Sequence, residues 1–291
     1  MAHIWEASYP QEINWSEEIT AKSIQSILDE GTAKWPDKVL CDFMDKTFTF
    51  REIDDMANRA AKGLKEMGVG PGVHVGLFLP NTPHYVVMFF AILRTGGRVV
   101  NYSPMYAPRE IQHQIEDSET DIMVTLDLAA LYPQVAAQLD NTRLKKLIVC
   151  SMPEILPFPK SLLFPLARKK DIAKVPNDSR HIRFKDLLKN DGVYEQHVVQ
   201  DPADEVAVLQ YTGGTTGVPK GAMLTHGNIH SAADLAGNWT GIFLKEGEET
   251  VLAVLPFFHV YAMTVVMIGA VGMGNRMIIH PRFELDDVMR D

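Results

Sequence analysis

Residues 209–228 read LQYTGGTTGVPKGAMLTHGN, and the rest of the chain can be reasoned outward from them. Five glycines, four threonines, one proline and one lysine are packed into this stretch, with the apolar runs VAVLQY and GAMLT on either side of its centre. A glycine-rich turn between strands leaves backbone N–H groups free to face an anion, because no Cβ blocks close approach and positive φ is allowed. Thr212, Thr215 and Thr216 add hydroxyl donors, Lys220 adds a mobile positive charge, and no acidic residue falls within the stretch. Such density of donors outlines a phosphate cradle rather than a polar surface turn. It is not of the Walker type: Pro219 precedes the lysine and Gly221 follows it, which breaks the G-x-x-x-x-G-K-[ST] register.

The strand VAVLQYT that leads into the loop opens an alternation of strands and helices: a helix over 226–236, strand TVLAVLP, a helix over 260–271 and strand NRMIIHP. The same alternation fills the first half from Val73, with strand VHVGLFL, a helix from Pro83 to about Arg94, strand GRVVNYS, a helix from Pro108 to about Asp117, and strands DIMVTL and LKKLIVC. Strands apolar on both faces and separated by helices predict parallel sheets covered on both sides. Upstream, Ile19, Ile24, Ile27 and Leu28 predict a helix over 19–35 that Trp35-Pro36 ends. VLCDFM and TFTF, separated by Asp45-Lys46, predict a hairpin, and Ile53, Met56, Ala57, Ala60, Leu64 and Met67 fall on one helix face that Gly68 and Gly70 stop. The expected fold class is α/β, with two βα-layered, mostly parallel sheet subdomains at about 20–150 and 204–291, joined by an irregular region at 151–203.

A formal charge of −9 and a pI near 5.6 argue against a nucleic-acid binder, which needs clustered Lys and Arg. Cys41 and Cys150 are isolated, which suits a reducing, cytoplasmic setting and gives no zinc site. The first fifteen residues carry no basic head followed by an apolar run, so no export signal is read there. The uncharged stretch 251–274 is long enough to cross a bilayer, but Pro256 and His259 interrupt it, and it reads as a buried strand, a turn and a buried helix. In the irregular middle, PFPKSLLFPLARKK at 157–170 sets an apolar cluster against Arg168, Lys169 and Lys170. That segment reads either as a surface excursion or as a peripheral contact with a membrane.

YTGGTTGVPKG at 211–221 resembles the signature loop of the AMP-forming adenylating enzymes, the superfamily of acyl-CoA synthetases, luciferases and peptide-synthetase adenylation domains. Gly213 stands where the common form has Ser, a variant that resembles bacterial long-chain fatty acid–CoA ligases. The likeness extends through FLPNTPHYVVMFFAILRTGGRVVNYSPMYAPREIQHQIEDS at 78–118 and over most of 20–290. It implies ATP, Mg²⁺ and coenzyme A as partners of a fatty acid in a two-step reaction through acyl-AMP. Carried onto this chain, it implies that Thr212, Gly213, Gly214, Thr215, Thr216 and Gly217 hold the β- and γ-phosphates. Lys220 either neutralises charge there or orders the loop through a carboxylate. PFFHVYAM at 256–263 is similar to the family's aromatic-His motif, with His259 near the α-phosphate and the acyl carboxylate, and Phe257, Phe258 and Tyr261 as acyl-pocket walls. Thr225, Asn228 and Glu246 read as structural residues, and Asn228 suits a helix N-cap.

The resemblance further implies a segment beyond Asp291 that carries the adenine site, a Tyr-Gly-x-Thr-Glu motif with a Mg²⁺-associated glutamate, a ribose-binding aspartate and a C-terminal domain with a catalytic lysine. The chain is therefore expected to be an incomplete N-terminal adenylation domain, with that C-terminal domain absent and no metal ligand of its own, and to be inactive alone. Rival expectations are a medium-chain or aryl-acid CoA ligase and, from another class, a non-catalytic nucleotide-binding module.

Overall fold

The structure is a computed structural model that describes residues 4–14, 16–212 and 219–290. In chain order the strands are β1 Val39–Phe43, β2 Lys46–Thr49, β3 His74–Phe78, β4 Arg98–Asn101, β5 Thr120–Leu126, β6 Lys146–Cys150, β7 His181–Arg183, β8 Val206–Thr212, β9 Lys220–Thr225, β10 Thr250–Ala253 and β11 Arg276–Ile279. The helices are α1 Ile24–Lys34, α2 Phe50–Glu66, α3 Pro83–Arg94, α4 Pro108–Asp117, α5 Tyr132–Ala136, α6 Lys160–Ala167, α7 Phe184–Leu187, α8 His226–Thr240, α9 Gly269–Gly272 and α10 Leu285–Arg290. A π-helical stretch, Ala262–Ile268, runs directly into α9.

Two sheets result. One has seven strands in the order β7-β6-β5-β3-β4-β8-β9, and the other four in the order β10-β11-β1-β2. All neighbours in the larger sheet are parallel except β8 and β9; in the smaller sheet only β1 and β2 are antiparallel. The α/β class with mostly parallel sheets is as the sequence predicts. Successive residues of β5 and β6 feed different cores: Val124 and Ile148 lie in one cluster, Met123 and Leu147 in the other. Helices cover both faces, as strands apolar on both sides demand.

Helix α3 is buried along its whole length, Arg94 included, because it sits among α1, α2 and strands β3 and β4 of the larger sheet. Its Arg94 guanidinium is bonded to Asp29 at 2.5 Å and also to Asp54, with Asn58 Oδ1 at 3.1 Å. These bonds engage both terminal nitrogens and supply the opposite charge a buried guanidinium needs, while Nε is left without a hydrogen-bond partner. Helix α2 begins with a capping box in which Thr49 and Glu52 satisfy each other's backbone N–H.

Several boundaries differ from the expectation. The hairpin turn is Met44-Asp45, with φ of 53° and 74°, and Lys46 already pairs with Phe43; the two-residue turn needs positive φ at both centres, which Met44 does not advertise. Helix α1 starts at Ile24 rather than Ile19, and α8 runs on to Thr240. The middle region is not wholly irregular: β7 extends the larger sheet beside β6, and α7 buries Phe184 and Leu187. Stretch 251–274 divides into β10, a turn and the π–α helix, and among the described residues no helix is long and apolar enough to cross a membrane.

Each sheet draws on both halves of the chain. β8 joins β4 in the larger sheet, while β10 and β11 reach back to β1 in the smaller. The segment after β10 must therefore pass from the small sheet towards the carboxyl ends of β4 and β8.

Candidate functional site

In a parallel sheet, ligand-binding loops gather beyond the carboxyl ends of the strands. Here β3, β4 and β8 end side by side at Phe78, Asn101 and Thr212. Thr212 is the last residue of β8 and pairs with Lys220, the first of β9, and both side chains are exposed. The remaining cradle residues Gly213, Gly214, Thr215, Thr216 and Gly217 lie outside the described residues.

Gly221 has a steric reason to follow the lysine. A Cβ there would sit 2.9 Å from two ring carbons of Tyr211 on the neighbouring strand. Tyr211 is buried and donates its hydroxyl to Asp117 on α4, and both burial and that carboxylate push its phenol above the ordinary range. The neutral ring thus packs between the base of the loop and α4, and glycine at 221 leaves room for it.

The 254–261 segment is held by a buried polar network. Asn81 Nδ2 donates to the carbonyls of Ala253 at 3.1 Å and Leu255 at 2.9 Å, and its Oδ1 accepts from Phe257 N at 2.8 Å. Tyr85 Oη lies 2.7 Å from Asn101 Oδ1 and 3.0 Å from the Phe257 carbonyl. Asn101 Nδ2 donates to Gln210 Oε1 at 2.9 Å, and Gln210 Nε2 donates to the Phe258 carbonyl at 2.9 Å. Burial raises the Tyr85 phenol far above its ordinary value, so it stays a donor. Each amide uses both its oxygen and its nitrogen, as a buried amide must to offset desolvation. The consequence is geometric: the backbone of 257–258 is fixed to β8 two residues before Thr212.

Beyond that anchor, His259 N donates to the Pro256 carbonyl at 2.9 Å, and the His259 carbonyl accepts from Met263 N at 3.0 Å at the start of the π–α helix. The His259 side chain is exposed, with its ring 4.6 Å from that of Phe258. Phe257 is fully buried, with its ring 5.6 Å from that of Tyr85, and Phe258 is nearly so. Tyr261 is 60% exposed. Of the three aromatic residues singled out in the sequence, Phe257 thus supports the turn from the core, while Tyr261 stands on its open side.

The structural residues fall almost as expected. Thr225, not Asn228, is the N-cap of α8; Asn228 is its reciprocal partner three residues on, with both bonds at 3.1 Å. Glu246 forms an exposed ion pair with Lys34 at 2.6 Å. His226, the first residue of α8, is buried and accepts from Ile24 N at 3.1 Å through Nδ1. Burial first, and the nearby His197 second, pull its pKa down to about 4. Among the described residues no group of three or more His, Cys, Asp or Glu converges as a metal site would require.

Sequence reasoning missed Asn81, Tyr85, Asn101 and Gln210. The signal for the three amides was their place at or near the carboxyl end of an apolar strand, in FLPN, RVVN and VAVLQ, where a merely packed strand would carry another aliphatic residue; Tyr85, inside the apolar helix α3, gave none.

Residues 28–291 match the family described as AMP-binding enzyme. A long-chain-fatty-acid–CoA ligase of Bacillus subtilis (strain 168) is 36% identical over 282 residues, which is 96% of this chain and 50% of that protein. A protein of the same name from Escherichia coli O157:H7 is 33% identical over 294 residues, 97% of this chain and 51% of that protein. Among solved structures, that of a long-chain-fatty-acid-CoA ligase from Archaeoglobus fulgidus aligns with a TM-score of 0.75 at 25% identity, covering 93% of this chain and 49% of that one. The chain spans about half the length of the curated relatives it matches.

Proposed function

This chain belongs to the AMP-binding enzyme family, and from that premise we propose that it supplies the phosphate-cradle side of an ATP-dependent, AMP-forming fatty acid–CoA ligase. The substrates are a long-chain fatty acid, ATP and coenzyme A. The observation that carries this reading is the Gln210–Phe258 bond, which ties the turn bearing His259 to the strand that feeds the glycine-threonine-lysine loop. Two segments far apart in sequence, one suited to phosphate and one to an acyl carboxylate, are thereby joined.

The chemistry asks little of proton transfer. A fatty carboxylate is already ionised near neutral pH and needs no general base. Its oxygen attacks the α-phosphorus, the bond between that phosphorus and the β-bridging oxygen breaks, and pyrophosphate leaves with the electron pair. The sulfur of coenzyme A then attacks the acyl carbon of acyl-AMP, its proton passes to solvent, and AMP departs. Positioning and charge stabilisation are the protein's tasks. Thr212, Gly213, Gly214, Thr215, Thr216 and Gly217 hold the β- and γ-phosphates through backbone N–H and hydroxyl groups, and Lys220 offsets their charge. His259 faces the α-phosphate and the incoming carboxylate. Phe258 and Tyr261 flank the acyl chain, and Phe257 backs the turn. Mg²⁺ would arrive with the phosphates of ATP and would offset their charge; the described residues offer it no ligand cluster.

A cytoplasmic setting and the need for further polypeptide to complete turnover belong to the same proposal. Incubating the longest polypeptide that the reading frame encodes with MgATP, coenzyme A and oleate tests it. AMP and pyrophosphate should accumulate with oleoyl-CoA. Release of ADP, or a rate unchanged when oleate is omitted, would defeat the reading, and a preference for octanoate or benzoate would move the substrate class.

A further inference from the structure

Helix α6 contributes no buried residue. Leu162 and Leu166 share one of its faces, and Phe158 lies in the turn just before the helix. These three are 79% (Phe158), 65% (Leu162) and 78% (Leu166) exposed, and Leu163 beside them is 54% exposed. Phe164 alone turns inward and packs against the core. The segment is nonetheless tied down at both ends. Lys160 Nζ bonds Asp45 Oδ2 at 2.7 Å at the hairpin turn, and the Asp171 carbonyl accepts from Ala129 N at 2.8 Å. A fixed helix that shows three large apolar side chains to solvent, with a fourth on the turn before it, has an unused binding face.

Charge decides among occupants. Residues 157–174 hold Lys160, Arg168, Lys169, Lys170 and Lys174 against the single acid Asp171, within a chain of net charge −9. Arg168, Lys169 and Lys170 are exposed immediately after the helix, so the apolar face has a cationic rim. A second copy of the chain would bring two such rims together and is disfavoured. The adjoining crevice, about 780 Å³ and lined by Arg168, Arg276, Arg282 and Arg290, adds little attraction for anions. All four of these arginines are already paired, Arg168 with Asp171 at 3.3 Å and Arg276, Arg282 and Arg290 with Asp42, Glu284 and Asp287. An anionic bilayer meets both demands, accepting apolar side chains below its headgroups and cations among them. The eight residues of α6 are too short to span a bilayer, so the helix would lie in the interface.

We propose that α6, with Phe158 before it and Arg168, Lys169 and Lys170 after it, docks the protein peripherally on an anionic membrane surface. Docking does not depend on the proposed ligase activity, although it would place that activity where long-chain acids dissolve. Sedimentation with vesicles of equal parts phosphatidylcholine and phosphatidylglycerol tests it. The chain should bind these, bind vesicles of phosphatidylcholine alone about tenfold or more weakly, and lose binding as salt rises. Leu162→Glu with Leu166→Glu, and separately Lys169→Glu with Lys170→Glu, should each weaken binding about tenfold or more. Neither pair contributes to the core, so circular dichroism and the melting temperature should not move. Absence of binding to the anionic vesicles, or unaltered binding by the leucine pair, would overturn the proposal. So would light scattering in which the leucine pair converts a dimer to a monomer. Binding by residues 1–291 but not by the longest polypeptide of the reading frame would assign the face to the rest of that polypeptide and overturn it equally.

Discussion

At Gly221 the loop sequence is decided by a neighbour's ring rather than by a ligand. Gly221→Ala places a methyl 2.9 Å from the Tyr211 ring, whose hydroxyl is already committed to Asp117. Overpacking of this kind costs about 1–3 kcal/mol, and the urea midpoint should fall accordingly. His226 makes a second residue-scale claim, about pH. Its folded pKa of about 4 lies below the ordinary histidine value of 6.5, so the folded state binds fewer protons than the unfolded one between those values. Its stabilisation is therefore complete above pH 6.5 and is lost as pH falls towards 4, at about 1.4 kcal/mol per pKa unit. His74 and His230, also pulled down by burial, add in the same direction. Denaturant midpoints should decline from pH 7 to pH 5. His226→Asn, which can accept from Ile24 N without titrating, should lose part of that slope; an unchanged slope would remove His226 as its cause.

Among elements, the joint between β8 and the segment after β10 matters most. Gln210→Leu keeps the volume near that of glutamine but strips partners from Asn101 Nδ2 and the Phe258 carbonyl. Leaving buried polar groups unpaired costs about 1–3 kcal/mol. Activity should fall more than this loss of stability explains, because the His259 turn is released from the strand; a variant with lower melting temperature but intact activity would make the network merely structural. The network also shows what the sequence could and could not reveal. The flanking strands and the aromatic-His turn were each legible, because apolar runs are local signals, whereas the centre of the loop lies outside the described residues. Their joint was not, since nothing in RVVN or VAVLQYT says that Asn101 and Gln210 face each other across two parallel strands. The turn at Met44-Asp45 escaped for a related reason: its positive φ is imposed by β1 and β2 pairing, against the preference of a methionine.

Across the whole molecule, the alternation of strands and helices predicted the α/β class, but not the order of the strands. Two consecutive blocks in sequence become two sheets that exchange strands, because β8 pairs with β4 and β11 with β1. That exchange is what brings the 256–259 turn from the small sheet to the edge of the large one. The short β7, in a proline- and charge-rich region with weak periodicity, joins the same sheet independently, by pairing with β6. The central claim, an acyl-adenylating site built at the end of β8, is tested most directly by exchange of labelled pyrophosphate into ATP, measured on the longest polypeptide the reading frame encodes. Exchange should require a fatty acid and should fall about 100-fold or more with Lys220→Ala, in line with loss of a charge-stabilising group. Exchange independent of fatty acid, or undiminished by Lys220→Ala, would contradict it.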